Sequence, residues 1–193
     1  MLPEIYWFSI ITYLAASYVV FRVIVRRSYL RLGHLGATAV TLEFLVCVLY
    51  FAFPYIYNPP GWATFWSAEI TVGPAQEAIG TVAIVAGAAL AFPAMGALGF
   101  GRSFGRPSNQ LKTTGFYSIS RNPQVVGGAL MPIGAAVIFP SWYAMGWLLL
   151  YGAIFHMMIR TEEEHLQRVF GEEYEQYRRE IPRYVGLRKR RRS

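Results

Sequence analysis

Residues 121–164 read RNPQVVGGALMPIGAAVIFPSWYAMGWLLLYGAIFHMMIRTEEE, and their pattern of apolar and charged residues indicates a membrane protein. The two apolar runs, residues 125–139 and 142–159, are separated only by Pro140 and Ser141. Each run approaches the length that a membrane helix needs, about 20 mostly apolar residues. A proline in so short a break is typical of a tight turn. The stretch therefore predicts a helical hairpin within the thickness of a membrane, with charged residues at both of its open ends.

The composition of the whole chain agrees with a membrane location. Apolar residues make up 54% of its 193 residues and charged residues only 15%, whereas soluble domains average about 25% charged residues. All 11 acidic residues are glutamate, so chemistry that needs aspartate is excluded. The single cysteine, Cys47, excludes an internal disulfide and a multi-cysteine zinc site, and we expect no metal.

Three further apolar runs precede the hairpin, at residues 5–25, 35–57 and 76–98. In the third run Ala83, Gly87 and Ala91 recur every four residues, which predicts a close contact with a neighbouring helix. We therefore predict an all-α integral membrane bundle of about five transmembrane helices, followed by a C-terminal cytoplasmic amphipathic helix. The basic residues flank alternate ends of these runs, so positive-inside logic predicts an outside N-terminus and a cytoplasmic C-terminus.

We predict a single membrane-embedded domain over residues 1–193. Residues 1–98 form three N-terminal spans, 99–124 a cytoplasmic loop, 125–159 the hairpin, 160–184 a tail helix and 185–193 a basic tail. The run at 188–192 would suit nucleic acid in isolation, but after a membrane bundle it is better interpreted as an anchor on the anionic inner leaflet. We expect membrane lipids, and no nucleic acid, as its partners.

The loop before the hairpin contains the first set of candidate functional residues. Its glycines do not have the spacing of a nucleotide-binding loop, and no strand precedes them. Pro123 is typical of the first turn of a helix, so Arg121 and Asn122 are predicted at a helix N-terminus, where free N–H groups attract anions. An anchor that pairs with lipid phosphate explains Arg121 equally well.

The tail contains the second set. Its apolar residues fall at helical spacing from Leu166 to Ile181, which predicts an amphipathic helix that Gly171 could break. Three consecutive acids, Glu162 to Glu164, repel one another and an anionic leaflet, which favours contact with a cationic ligand or with Arg121. A solvated helix start is the alternative. Glu43, a charge deep in the second span, could be functional or simply protonated, and we leave it outside the predicted site.

Taken together, these residues resemble the isoprenylcysteine carboxyl methyltransferase and phospholipid methyltransferase superfamily. The likeness covers residues 110–184. It rests on a set of residues in order on both sides of the hairpin: Leu111, Lys112, Gly115, Phe116, Tyr117, Arg121, Asn122, Pro123, Glu162, Glu163, Leu166, Phe170, Gly171, Tyr174, Tyr177, Pro182 and Arg183.

The resemblance implies an integral membrane enzyme that transfers a methyl group from S-adenosylmethionine to a lipidic or membrane-partitioned acceptor. It places the cofactor in a cytoplasmic pocket between the loop and the tail helix, and lets the acceptor enter from the bilayer. The catalytic candidates are Arg121, Asn122 and Glu163. We expect Arg121 to bind the cofactor carboxylate and the glutamates to bind its ammonium or ribose hydroxyls. The cofactor-binding set implied is Lys112, Gly115, Tyr117, Arg121, Asn122, Pro123, Glu162 and Glu163.

The sequence departs from the superfamily in two positions and leaves the acceptor open. The usual string is Arg-His-Pro-x-Tyr, whereas Asn122 and Val125 stand here in place of the histidine and the tyrosine. Asparagine cannot exchange a proton near neutral pH.

A prenylcysteine carboxylate, a phospholipid amine and a thiol all remain possible acceptors. A membrane NADPH-dependent reductase of the sterol type and a non-enzymatic membrane protein are the alternative functions.

Overall fold

A computed structural model describes residues 2–56, 72–99 and 110–186. Within these ranges all regular structure is helical, which confirms the predicted all-α class. Several predicted features lie outside the described residues: the last residue of the second span, the segment that follows it, the glycine-rich part of the loop over residues 100–109, and the basic run at 188–192.

The chain begins with one long helical segment of three parts. Helix α1 (Leu2–Tyr18) continues through a π-helical stretch (Val19–Val25) into α2 (Arg26–Leu32). Helix α2 ends at Gly33, whose φ of 72° is the left-handed conformation that glycine adopts at helix ends. The later helices are α3 (Ala37–Ile56), α4 (Pro74–Leu98), α5 (Pro123–Ile138) and α6 (Trp142–Glu180).

Three helical segments are long and apolar enough to cross a membrane, judged by length and composition. They are Glu4–Leu32, Pro74–Leu98 and Trp142–Glu180, and the apolar helices Ala37–Ala52 and Pro123–Ile138 are shorter. These five elements correspond to the five predicted apolar runs. The protein is therefore a helical membrane protein, and the count of five crossings stays a prediction.

The core lies where the first helical segment, α3 and α6 meet. Phe21, Tyr50 and Ile154 are fully buried there. Tyr50 stacks on Trp147 with 4.9 Å between ring centroids and donates a hydrogen bond from its hydroxyl to the Trp147 carbonyl, at 2.8 Å. Because a buried tyrosine hydroxyl needs a partner, this bond fixes the register between α3 and α6.

Helices α4 and α5 approach each other through glycines. A Cβ built on Gly127 would lie 2.6 Å from the Ala91 nitrogen and 2.7 Å from the Gly87 oxygen. Gly80 and Gly134 face each other in the same way along the same interface. The close helix contact predicted from the small residues of α4 is confirmed at Gly87 and Ala91, which are both buried.

Helix α6 continues from the hairpin into the tail through one kink. The amphipathic helix predicted to leave the last apolar run is therefore present as the second part of α6. Gly171, with φ of 49° and ψ of −120°, kinks it at the predicted position. Beyond the kink, Tyr174, Tyr177 and Ile181 pack into a second small core with Leu111 from the loop, which folds the tail back onto the start of α5.

We expect Gly127→Ala to destabilise the bundle, because its methyl group would overlap the α4 backbone. Overpacking of this kind costs about 1–3 kcal/mol. Gly152→Ala is the matched control, since a Cβ at this helical glycine meets nothing within 4 Å. Unfolding by SDS titration from detergent micelles, followed by circular dichroism, measures both variants. Equal stability of the two variants would contradict the close α4–α5 contact.

Candidate active site

A polar cavity of about 130 Å³ lies where the first helical segment ends, α5 begins and α6 continues into the tail. It brings together residues that are far apart in the sequence. The described residues that line it are Tyr29, Gly33, Leu98, Gln110, Leu111, Lys112, Tyr117, Arg121, Asn122, Gln124, Glu162, Glu163, His165, Leu166, Val169, Phe170, Tyr174 and Tyr177.

Arg121 is held at the start of α5, as the sequence predicts. Asn122 caps this helix and Pro123 occupies its first turn. The Arg121 backbone N–H donates to the Pro182 carbonyl at 3.0 Å, and the Asn122 side-chain amide donates to the Arg183 carbonyl, also at 3.0 Å. The tail that follows α6 is therefore tied to the two residues before α5 by one backbone and one side-chain hydrogen bond.

An ion-pair triad around the buried Glu163 carboxylate is the electrostatic centre of the site, and its third member, Arg183, is partly exposed. Arg121 Nη1 lies 2.8 Å from Glu163 Oε1, and the two side chains are only 8% and 10% exposed. Arg183 donates to the same carboxylate from Nε at 3.0 Å and from Nη2 at 2.6 Å. This hydrogen bond to the Glu163 carboxylate raises the pKa of Arg183. The two arginines offset the cost of burying one carboxylate.

Glu164 is engaged on a different face of α6. Its two carboxylate oxygens accept from Arg22 Nη2 at 2.8 Å and from Arg26 Nε at 2.7 Å. Between the same elements, the Thr161 hydroxyl donates to the Phe21 carbonyl, which lies in the π-helical stretch. Glu164 therefore fastens α6 to the first helical segment.

Glu162 is placed differently from its two neighbours. Successive side chains on a helix point about 100° apart, so three consecutive glutamates face three directions. No arginine or lysine of residues 2–56, 72–99 and 110–186 forms an ion pair with Glu162, which lines the polar cavity. The solvated helix start considered for this acidic run is wrong for Glu163 and Glu164, because both are ion-paired to arginines.

The loop before α5 is held from two sides through Tyr117. This residue lies in a 3₁₀ turn (Gly115–Ser118) and is buried. Its hydroxyl donates to the Gln124 side-chain oxygen at 3.0 Å, and its carbonyl accepts from the Tyr177 hydroxyl at 2.7 Å. Burial raises the pKa of Tyr117, so its hydroxyl stays a hydrogen-bond donor.

Six of the eight residues predicted to bind the cofactor line this cavity: Lys112, Tyr117, Arg121, Asn122, Glu162 and Glu163. The other two do not line it. Gly115 has a φ of 64° and opens the 3₁₀ turn, and Pro123 is buried at the start of α5. Both shape the backbone that carries the lining residues.

Sequence reasoning missed one wall of the cavity. The rings of Tyr29 and His165 stack at 4.0 Å with an interplanar angle of 13°. Tyr29 lies at the end of the first helical segment, far in sequence from the superfamily-like residues. The one sequence feature that would place it near the acidic run is its position one turn after Arg26. Arg183 was noted as part of the pattern, but its ion pair with Glu163 was not expected.

One buried polar atom of the site has no partner within residues 2–56, 72–99 and 110–186. It is Arg121 Nε, which makes no hydrogen bond to these residues although it is shielded from solvent. A buried donor without a partner is costly, and anionic ligands commonly satisfy such groups on arginine. The cavity therefore combines an unused guanidinium donor from Arg121 with the unpaired carboxylate of Glu162. This set suits a ligand that carries both a carboxylate and an ammonium group.

A family model for phospholipid methyltransferases matches residues 75–173, just over half of the chain. A protein-S-isoprenylcysteine O-methyltransferase from Schizosaccharomyces pombe is 32% identical over 78 residues. The match covers 40% of this chain and 33% of that relative, so the chain spans about a third of its length. No solved structure matches the chain.

The chain therefore belongs to the phospholipid methyltransferase family. The matched segment contains α4, the loop, the hairpin and the acidic run of α6. The resemblance expected from residues 110–184 is confirmed at the level of the superfamily.

We expect Glu163→Gln to loosen the tail from the start of α5. Hydrogen bonds to charged groups contribute about 1.5–3 kcal/mol, which corresponds to roughly ten- to hundredfold faster amide exchange. Hydrogen–deuterium exchange should therefore accelerate at the Arg121 amide and over residues 181–186, with the rest of α5 unchanged.

Glu164→Gln is the control for this exchange measurement. It removes the neighbouring carboxylate charge, but its partners Arg22 and Arg26 lie in the first helical segment. Exchange should then rise near these arginines and not in the tail. The same exchange pattern in both variants would contradict a specific role of Glu163 in docking the tail.

Proposed function

We propose that this member of the phospholipid methyltransferase family transfers the methyl group of S-adenosylmethionine to a lipidic or membrane-partitioned acceptor. The observation that carries the proposal is that Arg121 and Glu162 line the same cavity: Arg121 Nε has no hydrogen-bond partner, and Glu162 no ion-pair partner, among the described residues. The family and the isoprenylcysteine methyltransferase relative support it.

Some residues of the cavity would bind the cofactor, and others hold the binding residues in position. Arg121 would bind the cofactor carboxylate through its unused guanidinium donor, and Glu162 would accept from the ammonium group or the ribose hydroxyls. Lys112 and Tyr117 would complete the polar wall. Glu163 holds the Arg121 guanidinium in place, and Asn122 ties the tail to α5.

Methyl transfer depends more on alignment of the two reactants than on acid–base catalysis. S-adenosylmethionine supplies a methyl group on a positively charged sulfonium, which is transferred by an in-line displacement. Positioning of the reactants and exclusion of water then provide much of the rate enhancement. The chain's contribution is a rigid frame, in which Arg121 and Glu163 are less than 11% exposed.

A second cavity supports entry of the acceptor from the bilayer. It has a volume of about 610 Å³, lies among α3, α4, α5 and α6, and is mostly apolar. Tyr29, Leu98, Gln124 and Glu162 line both this cavity and the polar one. An acceptor in the apolar cavity would therefore reach the polar cavity at a junction that includes Glu162.

The binding test is a calorimetric titration of the purified protein with S-adenosylmethionine and, separately, with NADPH. We expect binding of the first ligand only. Arg121→Ala should weaken it about tenfold or more, as loss of a buried charge-assisted hydrogen bond does. Arg179→Ala is the control, because that side chain is 74% exposed. Absence of S-adenosylmethionine binding to the wild-type protein would overturn the proposal.

We also propose that the N-terminus lies outside and that the loop and tail are cytoplasmic, so that the cofactor reaches the cavity from the cytosol. Cysteine labelling tests this, starting from a Cys47→Ala background, which removes the sole native cysteine. A membrane-impermeant maleimide added to intact cells should label Glu4→Cys. It should label Thr113→Cys only after permeabilisation. The reverse pattern would invert the topology.

A further inference from the structure

An open apolar groove, which the proposed function does not use, runs between α1, α5 and α6. We call it the outer groove. Its volume of about 1050 Å³ exceeds that of most small-molecule pockets, about 300–1,000 Å³. The tail completes its wall, because Tyr184 and Val185 line it beside the first residues of α5. The outer groove is therefore built partly from the same tail that closes the polar cavity.

The lining of the outer groove suits hydrocarbon. Among the described residues it includes no carboxylate, lysine or arginine. Ile11 and Tyr18 on its α1 side are 65% and 55% exposed, and Val185 of the tail is 81% exposed. Because α1 and α6 belong to helical segments that are long and apolar enough to cross a membrane, this exposed apolar surface faces lipid rather than water.

Positive charge gathers at the end of the outer groove that the tail covers. His156 Nδ1 and the Tyr184 hydroxyl are hydrogen-bonded there at 2.9 Å. Arg160 lies one helical turn after His156 on the same face of α6 and is exposed, and Arg183 precedes Tyr184 in the tail. Both arginines interact electrostatically with His156. The basic run at 188–192 begins two residues after the last described residue.

This positive charge is not cancelled by the ion pairs of the site. The Glu163 carboxylate is shared between Arg121 and Arg183, so one positive charge remains in excess in that triad. Arg160 forms no ion pair with an acid of the described residues. Basic groups beside an apolar groove between membrane helices are the pattern that binds anionic lipid headgroups, and arginine pairs well with phosphate.

We propose that the outer groove binds an anionic phospholipid of the surrounding leaflet and that this lipid stabilises the docked tail. An acyl chain fills the groove, and the phosphate lies beside Arg160 and Arg183. The lipid is a bound ligand and not a methyl acceptor. Neither the cofactor nor the acceptor takes part in this binding, which is separate from the polar and apolar cavities.

The link to the tail follows from the groove's construction. Tyr184 and Val185 contribute to its wall only while the tail is docked. The residue before them, Arg183, binds Glu163 with its side chain and accepts from Asn122 with its carbonyl. A ligand that binds only the docked form stabilises that form by mass action. Occupancy of the outer groove therefore favours the closed wall of the polar cavity.

Photocrosslinking in nanodiscs tests the lipid site. Phosphatidylglycerol and phosphatidylcholine probes carry the same diazirine in the same acyl chain. We expect phosphatidylglycerol to label groove residues such as Leu130 and Ala153 about tenfold more than phosphatidylcholine, since each nearby basic residue favours an anionic headgroup. Arg160→Gln should reduce this preference. Arg179→Gln is its control, because that arginine is 74% exposed and lies beyond the kink of α6.

A second variant blocks the groove itself. Gly152 lines it, and a Cβ at this position meets nothing within 4 Å, so Gly152→Phe fills the groove without overlapping the protein. Labelling of Leu130 and Ala153 by phosphatidylglycerol should then fall about tenfold, as for loss of a buried apolar contact. Leu149→Phe adds the same ring to α6 at a position that is 66% exposed and outside the groove, and it should label as the wild-type protein does.

Hydrogen–deuterium exchange tests the effect on the tail. Adding phosphatidylglycerol to phosphatidylcholine nanodiscs should slow exchange over residues 181–186, by about tenfold when the lipid is at ten times its dissociation constant. The slowing should persist in Leu149→Phe and disappear in Gly152→Phe. SDS titration of both variants shows whether they fold as the wild-type protein does.

Three outcomes would overturn the proposal. Equal labelling by the two lipids in the wild-type protein would show that the groove does not select an anionic headgroup. A phosphatidylglycerol preference that survives in Gly152→Phe would place the lipid at the basic run rather than in the groove. Tail exchange that does not respond to phosphatidylglycerol would remove the link to the polar cavity. None of these measurements uses S-adenosylmethionine, so their failure leaves the proposed function untouched.

Discussion

The site depends on one interaction, the buried carboxylate of Glu163 between Arg121 and Arg183. It joins three parts of the chain: the end of the loop before α5, the middle of α6 and the tail that returns after Ile181. Removing one partner of a buried ion pair leaves an uncompensated charge and typically costs about 3–5 kcal/mol. The hydrogen bonds of Arg121 and Asn122 to the tail depend on the same docking, so the cavity walls are positioned together.

Much of this arrangement could be predicted from the sequence, because it follows local rules. Apolar run length predicted the helices, Pro123 predicted the start of α5, and the lone Gly171 predicted the kink in α6. The ion pairs between distant parts of the chain were harder to predict. The sequence suggested that the acidic run faces Arg121, but not that its three members separate, since the partners of Glu164 lie about 140 residues away on the first helical segment. No pattern in the sequence around Tyr29 or His165 predicts that their rings stack.

The packing of α4 explains why the bundle can hold both a rigid frame and an apolar cavity. Glycines bring α4 into backbone contact with α5, where no side chains separate the helices. On another side, α4 faces α3 across the cavity, with Phe92 and Met95 opposite Phe44 and Phe51 in its lining. The close contact fixes α4 in place, so the space beside α3 need not collapse to stabilise the bundle.

The distribution of charge links the two cavities. Four arginines compensate Glu163 and Glu164, whereas Glu162 and Glu43 have no such partner among the described residues. The cost of burying such an uncompensated carboxylate grows as the effective dielectric constant falls. Glu162 lines both cavities, whereas Glu43 lines only the apolar one, so the uncompensated acids connect the polar cavity to the interior of the apolar cavity.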